Sequence, residues 1–280
     1  MKIKELIEYG KNTLNKNEVQ DSSIISRILA EYILNFNRQE IIANLDKEVK
    51  EEQRVRYYLA LIEIIQGMPI QYITNKQEFM KLDFYVDENV LIPQPDTEIL
   101  VEKAIEEAKK IENVEILDMC TGSGCIGISI AKNIENAKVT LVDISENVIE
   151  IAKKNALRNK VESQLTFIQS NMFEKVEKKF DIIVSNPPYI KKEDIKLLPK
   201  DVQKEPKIAL DGGTDGLVFY SRIAKSAYKH LRRGGYLCLE IGYNQKLQVK
   251  KIIEGQKRYI NFYCKKDLCE NDRVVITQIG

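Results

Sequence analysis

The chain has 280 residues, 44% of them hydrophobic and 30% charged, enough to bury one large core or two unequal ones. Its 43 basic and 42 acidic side chains leave a net charge of +1, so no global field attracts a polyanion and direct nucleic-acid binding is disfavoured. Five cysteines without a close pair and a single histidine, His230, argue against a disulfide framework or a metal site; with no stretch of membrane-spanning length, a reduced, cytoplasmic, monomeric protein is expected.

Residues 1–75 read as a helical domain. Ile3, Leu6, Ile7 and Leu14 mark one amphipathic face, and Ser22-Ser23 stand where a cap would start a second helix carrying Ile24, Ile25, Ile28, Leu29, Tyr32 and Ile33. Arg38 to Leu45 suggests a third helix. A fourth runs from Lys50 to Gln66 with Val55, Tyr58, Leu59, Ile62 and Ile65 on one side, and stops at Gly67. This domain carries no catalytic constellation, which leaves two readings open: a packing module, or a docking surface for a macromolecular partner.

From Pro69 the pattern changes to short alternating runs, Gln71–Ile73, Phe79–Val86 and Val90–Ile92, which predict a hairpin linker over about 76–92. Asp96 or Thr97 then stands at the start of a helix from Glu98 to Ile111. Beyond it, residues 93–280 alternate strands and helices. Strands are predicted at 116–119, 138–142, 165–169, around Ile182, and at 236–241; helices at 126–134, 146–158, 216–231 and 245–253; two last strands at 260–265 and 274–278 form an antiparallel edge pair. The alternation predicts an α/β fold: a doubly wound, mostly parallel sheet covered on both faces.

Two stretches carry chemistry. In the first, the strand Ile116-Leu117-Asp118-Met119 runs into Cys120-Thr121-Gly122-Ser123-Gly124-Cys125-Ile126-Gly127, where glycines let a ligand approach the backbone and expose N–H groups at a helix start. Asp143 ends the next strand, about 20 residues on, where an acid can accept from ribose hydroxyls. Gly122, Gly124 and Gly127 also match the dinucleotide fingerprint, so a nicotinamide or flavin enzyme stands as a rival. Against it, the chain offers no obvious hydride-transfer partner. Cys120 and Cys125 have no histidine nearby in sequence and read as small packing residues.

The second stretch is Asn186-Pro187-Pro188-Tyr189, which cuts off the apolar run Phe180–Ser185. Neither proline has a backbone N–H, so the turn offers carbonyl acceptors and the Asn186 side chain; what it grips should be a donor, such as a planar NH2 group. The alternative is a tight turn that merely ends a core strand.

These blocks resemble the HemK-type protein-(glutamine-N5) methyltransferases, the PrmC family, which modify peptide chain release factors. The resemblance covers nearly the whole chain. It includes Gly67-Met68-Pro69-Ile70-Gln71-Tyr72-Ile73, Leu91-Ile92-Pro93-Gln94-Pro95-Asp96-Thr97-Glu98, the glycine loop, Asn-Pro-Pro-Tyr-Ile, Glu205-Pro206, Ala209 to Leu217, and Asn271-Asp272-Arg273-Val274-Val275. It implies a seven-stranded class I methyltransferase domain that uses S-adenosylmethionine, with S-adenosylhomocysteine as product and no metal. By resemblance Cys120, Thr121, Gly122, Ser123 and Gly124 would hold the methionine end of the cofactor, Asp143 the ribose, and Asn171 and Met172 the adenine. Asn186, beside the cofactor, would hold the substrate amide together with the Pro187 carbonyl, with Pro188 completing the turn and Tyr189 packing against the amide. The implied substrate is the glutamine of a release factor's Gly-Gly-Gln motif; a ribosomal-protein glutamine, or a nucleic-acid amine, are the alternatives. The chain departs from the family at Gln94, where arginine is more common, at Asn171, where an acid is common, and at Glu270, where glycine is usual.

Overall fold

The computed structural model describes residues 1–280, which divide into two compact units: Met1–Asn75 with Pro199–Lys204, and Lys76–Leu198 with Glu205–Gly280.

The first unit is helical: α1 (Ile3–Lys16), α2 (Ser22–Leu34), α3 (Arg38–Ala43), α4 (Glu51–Ile65) and α5 (Ile70–Thr74). Helices α1, α2 and α4 enclose a core that includes Ile3, Leu6, Leu14, Leu29, Ile33, Tyr57, Leu61 and Ile64. At its centre Tyr57 donates to the Ser26 carbonyl at 3.0 Å while the Ser26 hydroxyl donates to the Ile7 carbonyl at 2.5 Å. Gly10 is the hole this network fills, since a Cβ there would overlap the Tyr57 hydroxyl and stand 2.7 Å from Ser26 Oγ. Several predicted details change. Helix α4 buries Tyr57, Ala60, Leu61 and Ile64, and leaves Val55, Leu59 and Ile62 exposed. The stripe Val55-Leu59-Ile62 is as periodic as the buried one, but the aromatic that closes the Ser26 network fixes the inward face. Ser22 does not cap α2; it lies inside the helix and donates to Asn15 Oδ1 at 2.6 Å. Gln71–Ile73 lies in α5 rather than in a strand.

The second unit opens with a hairpin of β1 (Gln77–Phe79) and β2 (Leu82–Phe84). The single predicted run 79–86 is broken by a two-residue turn at Met80 and Lys81, both left-handed with φ of 51° and 61°. Left-handed residues at both central positions suit the twist of a hairpin, but glycine or asparagine usually supplies them, so the turn carried no sequence signal. Here Glu98 compensates, its Oε1 accepting from Met80 N at 2.6 Å. Val90–Ile92 forms no strand.

The remainder runs α6 (Glu98–Ala108), β3 (Glu115–Met119), α7 (Cys125–Asn133), β4 (Lys138–Asp143), α8 (Glu146–Asn159), β5 (Leu165–Gln169), β6 (Phe180–Ser185), α9 (Lys207–Leu210), α10 (Val218–His230), β7 (Leu231–Glu240), α11 (Lys246–Glu254), β8 (Tyr259–Lys266) and β9 (Asp272–Ile279). The seven-stranded sheet has the order β5-β4-β3-β6-β7-β9-β8, and only β9 runs antiparallel to its neighbours. Successive strand residues face opposite sides, as a pleat requires. Ile116, Ile182 and Val184 pack with α6, α7 and α8 residues such as Leu100, Ile128 and Ala152, whereas Leu117, Ile183 and Leu239 pack with Tyr220, Ile223 and Val249 of α10 and α11. The chain winds outward from β3 to β5, then returns to lay β6 on the other side of β3. That reversal opens a crevice at the carboxyl ends of β3 and β6, where doubly wound sheets bind ligands.

Candidate active site

Both motif stretches meet at this crevice. After β3 the backbone turns through Cys120, left-handed at φ 61°, and Gly122, at φ 56°. Thr121 N donates to the Val142 carbonyl at 3.0 Å and Gly124 N to the Thr121 carbonyl at 2.9 Å, and α7 then begins. Gly124 is needed as packing: with φ at 81°, a Cβ would stand 2.8 Å from Ile128 Cδ1 and 3.2 Å from Ala152 Cβ. Gly122 differs, because nothing lies within 4 Å of the position its Cβ would take. It faces open space.

Asp118 is fully buried beneath the loop, and its Oδ2 accepts from Thr121 Oγ1 at 2.5 Å and Gly127 N at 3.0 Å. Burial pushes its carboxyl up to about 7 against those two hydrogen bonds. Asp143 ends β4, with Oδ2 accepting from Gly122 N at 3.1 Å and Oδ1 from Ser145 N at 3.2 Å. Burial raises its proton affinity, and the surrounding backbone N–H groups oppose that. Asn155 braces the loop from α8, donating to the Ser123 carbonyl at 2.8 Å and the Tyr85 carbonyl at 3.0 Å.

At the end of β6, Ser185 donates to the Met119 carbonyl at 2.6 Å, which ties the two strand ends together. Pro187 and Pro188 are buried. Asn186 Nδ2 donates to Thr97 Oγ1 at 3.2 Å, and Thr97 Oγ1 donates to Glu240 Oε2 at 2.6 Å. The Tyr189 hydroxyl reaches the other Glu240 oxygen at 3.4 Å. Behind the turn, Gln245 Nε2 holds the Tyr189 carbonyl at 3.0 Å, and Ile190 exchanges backbone bonds with Leu210 and Gly212 at 3.0 and 2.8 Å. The glycines of 212–216 thus serve as the bed on which the Pro-Pro turn lies. Gly212 and Gly216 sit so close to Tyr189 that any Cβ would strike its backbone.

Together these elements border an open cleft whose empty space, including the solvent at its mouth, is about 1040 Å³. Of the residues assigned by resemblance, Cys120, Thr121, Gly122, Ser123, Asp143, Asn171, Met172, Asn186 and Pro188 line it; Gly124, Pro187 and Tyr189 do not. Gly124 lies under the loop, and Tyr189 directs its hydroxyl to Glu240. Cys120 and Cys125 are held as thiols, since burial pushes both up to about 12. Asn171 has both ends engaged, accepting from Arg222 at 2.7 Å and donating to Glu174 at 2.6 Å. Among the family departures, Gln94 turns back to the Ile92 carbonyl at 3.0 Å, and Glu270 stands at φ 63°, the backbone that explains the usual glycine.

Sequence reasoning missed Thr97 as a site residue, and also Glu240, Arg222, Phe219, Ile208 and Ala209. Glu240 had a signal: an acid closing a parallel strand of a doubly wound sheet, as Asp143 does. Arg222 had none, because a helix arginine is ordinarily solvated.

The cavity chemistry fits an adenosyl sulfonium cofactor. The open face at Gly122 admits close approach, Asp143 retains free lone pairs for hydroxyls, Met172, Val142 and Ile126 supply apolar wall, and the buried Ser123 hydroxyl has no partner of its own. Fold, glycine loop and Asn-Pro-Pro-Tyr turn together define a class I S-adenosylmethionine-dependent methyltransferase.

Comparison with known proteins narrows the class. Residues 94–218 match the family described as methyltransferase small domain, and residues 5–74 the PrmC N-terminal domain. A release factor glutamine methyltransferase of Clostridium botulinum is 39% identical over 280 residues, covering 98% of this chain and 98% of the relative. Another, of Clostridium acetobutylicum, is 39% identical over 284 residues, covering 100% of this chain and 99% of the relative. Among solved structures, a methyltransferase from Pyrococcus furiosus superposes with a TM-score of 0.54 at 21% identity, over 79% of this chain and 98% of that one, a likeness of fold. The chain belongs to the release factor glutamine methyltransferase family. That removes the nicotinamide or flavin rival.

Proposed function

We propose that this enzyme methylates the side-chain amide nitrogen of the glutamine in the Gly-Gly-Gln motif of peptide chain release factors, with S-adenosylmethionine as methyl donor. The observation that carries the reading is the Asn186 carboxamide on the cavity wall, its nitrogen engaged by Thr97 at 3.2 Å and its oxygen left to accept.

A carboxamide nitrogen is a poor nucleophile, because delocalisation of its lone pair is what makes rotation about such a C–N bond cost about 18–20 kcal/mol. Twisting it free is too expensive; holding it in line is the available route, and orientation removes on the order of 7–11 kcal/mol of a barrier. The bound sulfonium supplies an electrophilic methyl group. Asn186 Oδ1 accepts one amide hydrogen, holds the nitrogen in the plane and stabilises it as it gains positive charge. The second hydrogen goes to the Pro187 carbonyl only by the family resemblance, since Pro187 does not itself line the cavity. The prolines add no donor to compete for those acceptors. The extra proton is acidic once nitrogen is quaternised and needs no strong base.

Transfer of labelled methyl to a panel of purified release factor, its Gly-Gly-Gln→Gly-Gly-Ala variant, ribosomal proteins and duplex DNA tests the substrate. Label should appear on the release factor alone and vanish in the alanine variant; label on a ribosomal protein or DNA rejects the assignment. The cofactor assignment has its own test. Asp143→Ala should raise the Kd for S-adenosylmethionine by about 10–100-fold in calorimetry, the loss of hydrogen bonds to a charged acceptor. Unchanged binding rejects Asp143 as the ribose ligand.

A further inference from the structure

A primary carboxamide can turn about its last bond and offer either oxygen or NH2 at the same place with almost no change of shape. If Asn186 turned, it would present donors to a substrate amide that is itself all donors on that side, and the site would fail. Something must select one orientation, and the selecting group must be able to tell nitrogen from oxygen. Thr97 alone cannot, because a hydroxyl donates and accepts equally well.

We propose that Glu240, acting through Thr97, locks the Asn186 carboxamide with its oxygen toward the substrate, so that Glu240 and Thr97 are positioning residues for methyl transfer. The proposal rests on Asn186 being the acceptor for the substrate amide. Thr97 and Glu240 are each about 2% exposed, so water does not compete for their bonds. The 2.6 Å contact between Thr97 Oγ1 and Glu240 Oε2 is the length of a charge-assisted bond, and it commits the hydroxyl's only hydrogen to the carboxylate. Thr97 then has nothing but lone pairs to offer Asn186, and only the Nδ2 side, 3.2 Å away, can use them. The oxygen is forced outward.

The lock depends on charge. A protonated Glu240 can donate to Thr97, which frees the Thr97 hydrogen and lets the turned amide, oxygen inward, bind equally well. The groups around Glu240 come from five other elements: Asp96 and Thr97 from the turn before α6, Tyr189 from the Pro-Pro turn, Cys125 from α7, Tyr220 from α10, and Arg273 from β9. Burial pushes the Glu240 carboxyl up to about 7, with Asp96 adding to the rise and Thr97, Arg273 and Tyr189 opposing it. Arg273 is itself shared, pairing with Asp96 Oδ2 at 3.0 Å and Asp267 Oδ2 at 2.9 Å. Glu240 loses its charge as the pH falls through neutrality, so kcat should fall with it.

The test follows kcat against pH with both substrates saturating, and separately follows the Asn186 side-chain 15N–1H pair by NMR against pH in the enzyme without ligands. Thr97→Val should lower kcat by about 10–100-fold near pH 8, leave the Kd for S-adenosylmethionine unchanged, and abolish both the acid limb of kcat and the titration of the Asn186 resonances. Thr97→Ser, which restores the hydroxyl, should recover kcat to within about threefold and bring both titrations back. A Thr97→Val enzyme with normal kcat, or one with lowered kcat that keeps the acid limb or the Asn186 titration, overturns the proposal. Should Thr97→Val not fold, Glu240→Gln must remove both titrations, and their persistence overturns it equally. Asn186→Ala separates the two levels of argument: if it leaves kcat intact, the amide-holding reading itself is wrong, whereas a large loss there beside a normal Thr97→Val condemns the lock alone.

Discussion

Replacing Asn186 with alanine is expected to lower kcat by about 10²–10³-fold, the range for removing one preorganised group that meets charge developing in a transition state. The KM for release factor should rise less, and the Kd for S-adenosylmethionine should not change. The asymmetry follows from where Asn186 stands. Its side chain is held by Thr97, at the end of β6, while the glycine loop is built from Asp118, Thr121 and Asn155 and does not depend on it. In the ground state the substrate amide loses one hydrogen-bond acceptor; in the transition state its nitrogen carries a growing positive charge and the same acceptor matters far more. Single-turnover rates with calorimetric cofactor binding would measure the split. Equal losses in rate and cofactor affinity would make Asn186 a cofactor residue and remove the basis for in-line presentation of the amide.

Both chemical stretches were legible in the sequence because each is short and its residues act locally. Glycines set the loop, two prolines end a strand, and an acid closes the next one. The alternating architecture was equally legible, down to the antiparallel edge formed by β8 and β9. What escaped the sequence involves partners far apart. Thr97 and Glu240 lie 143 positions apart and meet only because β7 is laid beside β6 and the turn before α6 crosses their ends. In α4 two apolar stripes had equal periodicity, and only the contact of Tyr57 with Ser26 and Gly10 decided between them. Met80-Lys81 hid a tight turn because its left-handed conformation is supported by Glu98, a tertiary partner. The same contrast explains the block Asp211 to Gly216, which the sequence marks only by resemblance: its glycines do not line the cavity, and their role appears only once they lie against Tyr189.

That role carries the second large prediction. Gly216→Ala should lower kcat by about 30–100-fold with cofactor affinity unchanged, since a displacement of about 1 Å in a positioned group costs on the order of 10²-fold. Gly216 has φ at +74°, and an added Cβ would overlap the Tyr189 carbonyl oxygen and stand 2.8 Å from Gln245 Nε2. Gln245 bonds that same carbonyl at 3.0 Å and the Gly216 carbonyl at 3.3 Å, so turn and bed share one clasp, and a methyl between them pushes Asn-Pro-Pro-Tyr toward the cavity. Left-handed strain is the competing explanation, costing roughly 1–2 kcal/mol for any residue with a Cβ. Gly234 separates the two. It has φ at +76° and nothing within 4 Å of its Cβ position, at the opposite end of β7 from Glu240. Gly234→Ala should therefore lose only the thermal stability that strain costs and keep its kcat. If both variants lose activity in proportion to stability, strain alone explains the glycines; if only Gly216→Ala loses kcat, the glycine bed sets the position of the acceptors that hold the amide.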